Sequence, residues 1–210
     1  MNTSANLQDA RNDQKRPRRP ISRLILRLIG WTADERPLPA KCVLIGAPHT
    51  SNWDFPIALL LMRVLGIEGH WIAKHTVFRP PFGWFMRRLG GLPVDRTASH
   101  NFVEQIVRLF DDCDRLVITI APEGTRKRTE HWRTGFYYIA LGAGVPVVLG
   151  YLDYPRKRGG IGPTIQPSCD LEADLALMRD FYADKTGRHP DNKGEISVAH
   201  RHDGTDNGRT

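Results

Sequence analysis

The chain has 210 residues, 40% hydrophobic and 25% charged, which suffices for one domain with a buried core but not for two. Thirty lysines and arginines against 23 acidic residues give a net charge of +7, so phosphates, nucleic acid and acidic lipid headgroups are favoured as partners. The cysteines Cys42, Cys113 and Cys169 lack the paired spacing of a zinc site or a disulfide framework. We therefore expect no metal and a reducing, cytosolic compartment.

The N-terminal part divides into two segments. Residues 1–20 carry five basic side chains and two prolines, a composition typical of a disordered basic tail. Residues 21–31 place apolar side chains at the spacing of one helical face, with Arg23 and Arg27 away from it. The apolar positions are Ile21, Leu24, Ile25, Leu28 and Ile29.

This second segment predicts an amphipathic helix with two alternative roles. Its apolar face could enter a lipid interface while the arginines bind anionic headgroups, or the helix could pack on the domain's own core. No run reaches the roughly 18 apolar residues that cross a bilayer, and we expect no secretory signal.

From Lys41 onward, apolar runs of strand length alternate with longer helical patterns. Because parallel strands need crossover connections, which helices supply, we predict an α/β fold: one domain, 38–184, with a largely parallel central sheet flanked by helices. Residues 185–210 have little to bury and are predicted to form a disordered tail. The predicted strands are Cys42–Ala47, His70–Ala73, Leu92–Val94, Leu116–Ile120 and Val145–Leu149; the predicted helices are Phe55–Leu65, Phe82–Leu89, Asn101–Phe110, Gly135–Ala143 and Leu171–Tyr182.

The loop after the first of these strands contains His49 and Asp54, which are separated by four residues. Loops at the carboxyl ends of parallel strands are where ligands bind. There the carboxylate could hold one imidazole nitrogen while the other accepts a proton from a substrate hydroxyl. In the alternative interpretation Asp54 only caps the next helix, with Pro56 in its first turn, and His49 is an ordinary loop residue.

The loop after Leu116–Ile120 reads Pro-Glu-Gly-Thr-Arg. Gly124 permits close backbone approach, Thr125 offers a hydroxyl, and Arg126 can clamp phosphate oxygens. Glu123 is an unusual neighbour for an anion, and would make sense as an organiser of the arginine or of a loop amide. The alternative is a solvated turn of mixed charge.

Two further basic residues follow predicted strands. Lys74 comes directly after His70–Ala73, and Arg96 follows Leu92–Val94. Either could contact an anion, and either could be merely solvated. Five aromatic residues in this part of the sequence could form an acyl pocket, a membrane-facing patch or part of the core. They are Trp71, Phe78, Phe82, Trp84 and Phe85.

The ordered set of motifs resembles the glycerolipid acyltransferases, the family that includes the lysophosphatidic acid acyltransferases. The set comprises His-x4-Asp, Gly-Leu-Pro-Val-Asp-Arg, Pro-Glu-Gly-Thr-Arg and Val-Pro-Val-Val, and it covers about 41–150. The resemblance implies that His49 is the general base and that Asp54 orients it. It also assigns binding of the acceptor's phosphate to Glu123, Gly124, Thr125 and Arg126, with Arg96 and Lys74 as further anion contacts.

The implied reaction is direct transfer of an acyl group from acyl-CoA or acyl carrier protein to a lysophospholipid such as 1-acyl-glycerol-3-phosphate, without a cofactor. We expect an enzyme of phospholipid biosynthesis that is cytoplasmic and peripherally attached to an anionic membrane surface at the inner face. A different lyso-lipid acceptor, such as a lyso-aminolipid, remains open. A basic nucleic-acid- or lipid-binding protein without activity is the remaining alternative, although no nucleic-acid reading module is present and specific nucleic-acid binding is not expected.

Overall fold

The computed structural model describes residues 20–94 and 99–198. They form a single α/β domain around a seven-stranded sheet with the order β1-β7-β6-β2-β5-β3-β4. The strands from β6 to β4 are mutually parallel, β7 is antiparallel to β6, and β1 is parallel to β7. The predicted fold class is thereby confirmed. The strands are β1 (Thr32–Asp34), β2 (Lys41–Ala47), β3 (Gly69–Lys74), β4 (Gly91–Val94), β5 (Leu116–Ile120), β6 (Val147–Asp153) and β7 (Arg158–Ile165).

Six α-helices and two 3₁₀ turns lie within the described residues. The turns span His75–Phe78 and Pro190–Asn192. The helix α2 ends at Gly66, whose φ of 69° is the left-handed conformation that glycine adopts without steric cost. The helices are α1 (Pro20–Leu28), α2 (Asp54–Leu65), α3 (Gly83–Arg88), α4 (Ser99–Asp111), α5 (Gly135–Gly142) and α6 (Leu171–Tyr182).

The central strand β2 is buried on both faces, as expected for a parallel strand covered by helices. Alternate side chains point to opposite faces of a strand. Val43 and Ile45 therefore lie in the large core beneath α4, α5 and α6, whereas Cys42 and Leu44 lie in a smaller cluster on the other face. A third cluster joins α1 to α2 through Leu26, Ile57 and Leu61, among others.

Two strands were not predicted, and one is displaced. The strand predicted at Val145–Leu149 is observed at Val147–Asp153, so it extends four residues further toward the loops. It pairs with β7, a glycine-rich strand that places β1 at the edge of the sheet. The longer β6 brings Tyr154, directly after it, to the carboxyl edge of the sheet.

The predicted amphipathic helix is shorter than expected. It ends at Leu28, because Gly30 adopts a left-handed conformation (φ 77°) and turns the chain toward the buried Trp31. The side that packs on the domain is defined by Ser22 and Leu26. The helix therefore does pack on the domain's own core, but through a different side from the predicted apolar face, which is exposed.

The prediction of a disordered tail from 185 does not hold for residues 185–198. Ile196 and Val198 pack against the large core, and the backbone of Trp132 donates a hydrogen bond to Ser197 O at 3.0 Å. The physical reason is that this segment is fixed by backbone hydrogen bonds as much as by apolar side chains. Residues 199–210, like the predicted basic tail up to residue 19, lie outside the described residues.

Candidate active site

Three neighbouring strands end at the same edge of the sheet and bring distant residues together. The strand β2 lies between β5 and β6, and all three are parallel. The loop after β2 contains His49, the loop after β5 contains Glu123, and Tyr154 follows β6. This edge is therefore where side chains from separate parts of the sequence can act on one ligand.

His49 and Asp54 form the centre of the site. Nδ1 of His49 lies 3.1 Å from Oδ2 of Asp54, and the imidazole is one quarter exposed. The same carboxylate oxygen accepts hydrogen bonds from the backbone amides of Thr50 at 2.8 Å and Ser51 at 2.9 Å. Because both amides precede α2, the carboxylate closes the loop rather than capping the helix. The interpretation of Asp54 as only a helix cap is therefore wrong.

Tyr154 completes the surroundings of the carboxylate. Its hydroxyl donates a hydrogen bond to Oδ1 of Asp54 at 2.6 Å. Burial alone would raise the pKa of Asp54, but the hydrogen bonds from His49, Tyr154 and Ser51 outweigh it and lower the pKa. These hydrogen bonds thus favour the charged form of Asp54 although the residue is only 3% exposed.

Glu123 ties the second motif loop to the first. Its Oε2 accepts a hydrogen bond from the backbone amide of His49 at 2.8 Å. The side chain is 2% exposed, and burial raises its pKa to about 7. Of the two roles considered from the sequence, this geometry fits the organiser of a loop amide better than a direct contact to a phosphate.

The turn that follows Glu123 exposes polar and basic groups. Gly124 has a φ of 67°, and its amide donates to Ala121 O at 3.0 Å. A Cβ atom at this position would lie 2.7 Å from Nε of Arg133, so that arginine passes directly over the glycine. Thr125 is partly buried and Arg126 is exposed. An anion at this turn would meet the hydroxyl of Thr125, the guanidinium group of Arg126 and the backbone of Gly124.

The remaining two predicted site residues follow the outer strands. Lys74 is the last residue of β3 and is paired with Val94, the last residue of β4. Its backbone therefore lies at the same edge of the sheet as the His49 loop. Arg96 lies outside the described residues.

Sequence reasoning missed Tyr154 and the segment 185–198. The strand was predicted to end at Leu149, so the sequence did not place Tyr154 at the edge of the sheet. The available signal was the apolar run Val147–Leu152, which continues past Gly150. For the later segment the sequence offers no comparable signal, since its contacts to the loop are made largely by the backbone.

Comparisons with known proteins identify the family and the fold. The model of the Acyltransferase family matches residues 32–149, more than half of the chain, including both motif loops. The fold is similar to the crystal structure of PlsC, the 1-acyl-sn-glycerophosphate (LPA) acyltransferase from Thermotoga maritima, with a TM-score of 0.55 and 16% identity over 76% of this chain and 73% of that chain. No curated protein sequence matches the chain significantly. On the strength of the family match over both loops, this chain belongs to the acyltransferase family.

Proposed function

We propose that the protein is an O-acyltransferase of phospholipid biosynthesis, which transfers a fatty acyl group from acyl-CoA or acyl carrier protein to a hydroxyl of a lysophospholipid such as 1-acyl-glycerol-3-phosphate. The observation that carries the proposal is the distance of 3.1 Å between Nδ1 of His49 and Oδ2 of Asp54, whose carboxylate is buried. Family membership and the fold support the reaction class.

His49 acts as the general base in this proposal. Asp54 engages Nδ1, so Nε2 is the nitrogen that accepts the proton of the acceptor hydroxyl. The hydroxyl oxygen attacks the carbonyl carbon of the thioester and forms a C–O bond. The tetrahedral intermediate then breaks its C–S bond, and the thiolate takes the proton from the imidazolium. The products are an ester and a free thiol, and no acyl-enzyme forms.

The turn after Glu123 binds the phosphate of the acceptor in this proposal. Arg126 supplies a charged, planar donor that matches phosphate oxygens, with Thr125 and the backbone at Gly124 beside it. Glu123 holds the His49 loop against this turn. Lys74 and Arg96 are proposed as further anion contacts.

An anionic membrane surface is the proposed location of the acceptor. The apolar face of α1 is exposed, with Leu24 at 57% and Leu28 at 77%. A second exposed apolar patch lies at the start of α3, where Phe82 is 67% and Trp84 is 72% exposed. Arginines flank both patches, a combination typical of interfacial attachment: Arg23, Arg27, Arg79, Arg87 and Arg88.

The helices α1 and α2 pack together, and aromatic rings link α2 to the segment before α3; these residues are here called the layer. Leu26 of α1 packs in one buried cluster with Ile57 of α2. At the other end of this layer, the ring of Phe55 in α2 lies 5.0 Å from that of Trp71, which stacks on Phe78. Among the described residues no helix is both long and apolar enough to cross a membrane. We therefore propose peripheral attachment through this layer, at the inner face of the membrane.

The test supplies the purified protein with acyl-CoA or acyl carrier protein donors against a panel of lyso-acceptors. The panel includes 1-acyl-glycerol-3-phosphate and lyso-aminolipids. We expect turnover with at least one acceptor and a loss of about 100-fold or more in His49→Ala, from removal of a general base. The alanine variant keeps the backbone amide that bonds Glu123.

His131→Ala is the matched control, because His131 is exposed and contacts Ser197. It should retain wild-type turnover. Absence of acyl transfer by the wild type with every pair of substrates, or equal turnover by wild type and His49→Ala, would contradict the proposed function. Strongly salt-dependent binding of RNA without acyl transfer would favour the nucleic-acid alternative.

A further inference from the structure

The segment 185–198, here called the strap, crosses the edge of the sheet and contacts both motif loops. At its start the amide of Tyr154 donates to Thr186 O at 3.0 Å, and the amide of His189 donates to Oγ1 of Thr50 at 3.2 Å. Toward its end the amide of Glu195 donates to Thr129 O at 3.2 Å. The strap therefore begins beside β6 and ends beside the loop that follows β5.

The strap approaches the His49 loop most closely at Gly187. A Cβ atom there would lie 2.5 Å from Oγ1 of Thr50, so only glycine fits without displacing the loop. Thr50 is 2% exposed and donates its amide to Asp54. The backbone on either side of Arg188 is thus fixed against the residues that hold the proposed base.

Arg188 lies at the rim of the site. The central carbon of its guanidinium group is 5.4 Å from the centroid of the Trp53 ring, and Trp53 directly precedes Asp54. Burial and the bond to Asp54 raise the pKa of Tyr154, and the positive charge of Arg188 acts in the opposite direction. The guanidinium group is therefore close enough to act electrostatically on Tyr154.

The charge of Arg188 is not neutralised by a carboxylate within the described residues. Its neighbours on the β6 side differ: Arg156 pairs with Asp153 at 2.6 Å, and Arg158 pairs with Asp34 at 2.6 Å. Arg188 is exposed and takes part in no ion pair between described residues. An exposed guanidinium group that forms no ion pair with a described residue, at the rim of a site, is suited to bind an anion.

The order of the strands separates this cation from the turn that contains Arg126. His49 follows the central strand β2, and Arg126 lies beyond β5 on one side. Arg188 contacts Trp53 in the His49 loop, and it lies two residues after Thr186, which bonds to Tyr154 at the end of β6 on the other side. Two substrates must meet at His49, and each carries a phosphate. If the acceptor's phosphate occupies the β5 side, the phosphate of the thioester donor falls on the β6 side.

We infer that Arg188 binds the phosphate of the donor's phosphopantetheine arm, the group that acyl-CoA and acyl carrier protein share. This inference rests on the proposed function and adds a donor contact from the strap, which lies beyond residues 32–149. Arg188 is thus a binding residue that selects phosphorylated thioester donors.

The experiment measures KM for donor and acceptor separately in wild type, Arg188→Gln and Arg188→Lys. The donors are acyl-CoA, acyl carrier protein and an acyl thioester of N-acetylcysteamine, which has no phosphate. With Arg188→Gln we expect KM to rise about tenfold for both phosphorylated donors, no change for the N-acetylcysteamine thioester, and an acceptor KM within twofold of wild type. Arg188→Lys should recover part of the loss, because it keeps the charge but not the planar pair of donors.

Arg108→Gln is the charge-matched control. Arg108 lies on α4 with its side chain 79% exposed, so its loss changes the net charge equally. An unchanged donor KM in Arg188→Gln, a rise confined to the acceptor, or an equal rise with the phosphate-free donor would each overturn the inference. Absence of turnover in the wild type would instead contradict the proposed function, so the two failures are distinguishable.

Discussion

Oε2 of Glu123 accepts a hydrogen bond from the backbone amide of His49 at 2.8 Å, although the two residues are 74 positions apart in the sequence. The bond joins the loops of two adjacent parallel strands, β2 and β5. Because the donor is a backbone group, the position of the loop does not depend on the imidazole itself. Replacing His49 should therefore remove the proposed base without releasing the loop.

The raised pKa of Glu123 predicts a pH-dependent stability. Its pKa is 4.5 in the reference state and about 7 in the folded protein, because burial disfavours the charged form. The folded state thus binds the proton more tightly, and the free energy of unfolding must fall as the pH rises from about 4.5 to 7. Relative to Glu123→Gln, the wild type should lose about 2–3 kcal/mol between pH 5 and pH 8.

Denaturant unfolding of wild type and Glu123→Gln at pH 5, 6, 7 and 8 measures this difference. The glutamine keeps an oxygen that can accept the His49 amide, so the loop contact is preserved in the variant. A difference between the two proteins that stays constant over this pH range would show that Glu123 does not titrate as its burial implies.

Asp54 and Tyr154 should affect the reaction to different extents. Asp54→Asn removes the charge that orients and stabilises the imidazolium, and we expect kcat to fall by about 100-fold or more. Tyr154→Phe removes one hydrogen bond to the carboxylate, which raises the pKa of Asp54. In that variant the acid limb of the pH dependence of kcat/KM should move to higher pH, and kcat should fall by about tenfold.

Tyr138→Phe is the control for the tyrosine variant, because Tyr138 is 50% exposed on α5. Steady-state kinetics from pH 4.5 to 9 provides the measurement. If Tyr154→Phe and Tyr138→Phe had the same pH profile as the wild type, Tyr154 would have no role in holding the carboxylate.

Gly124 should tolerate a side chain poorly for two separable reasons. Its φ of 67° costs a non-glycine residue about 1–2 kcal/mol, and a Cβ atom would displace Arg133. We expect Gly124→Ala to lower the free energy of unfolding by about that amount and to raise KM for the acceptor.

Gly144 offers a matched control. Its φ is 63°, and no heavy atom lies within 4 Å of a Cβ built there. Gly144→Ala should therefore show a similar loss of stability with an unchanged KM. Equal KM changes in the two variants would mean that the turn after Glu123 has no specific relation to the acceptor.

The exposed face of α1 predicts membrane binding that a single residue can weaken. Leu28 is 77% exposed, so Leu28→Asp should leave the free energy of unfolding nearly unchanged. Binding to vesicles that contain phosphatidylglycerol should fall by about tenfold or more, since one buried leucine contributes about 1.5–3 kcal/mol. Cosedimentation with vesicles measures the partition.

Leu177→Asp introduces the same charge on α6, on the opposite side of the sheet, where the leucine is 55% exposed. This variant should bind vesicles as the wild type does. Equal weakening by both substitutions would indicate general electrostatic repulsion and would argue against a docking face at α1.

The central strands and the His49 loop could be predicted because their signals are local. Cys42–Ala47 is an unbroken apolar run, and His49 and Asp54 follow it in the next loop. The strand β7 could not be predicted, since Arg158–Ile165 contains three glycines and a proline. Its extended conformation is supported by pairing with β6, a contact that no local pattern encodes.

The contact between Tyr154 and Asp54 shows the same limit at the site. The two residues are 100 positions apart and meet only because β2 and β6 are adjacent in the sheet. The sequence predicted the alternation of strands and helices but not their order in the sheet. Tyr154 was therefore missed, whereas His49 and Asp54, which lie in one loop, were predicted as a pair.

The strap has a consequence for how proteins of this kind are compared. A chain cut after Ala183 would retain every motif residue, yet it would lose the backbone contact of Thr186 with Tyr154 and that of His189 with Thr50 in the His49 loop. Two enzymes with the same motif letters can thus present different entrances to their substrates, and donor selectivity could change through residues that a motif search does not inspect.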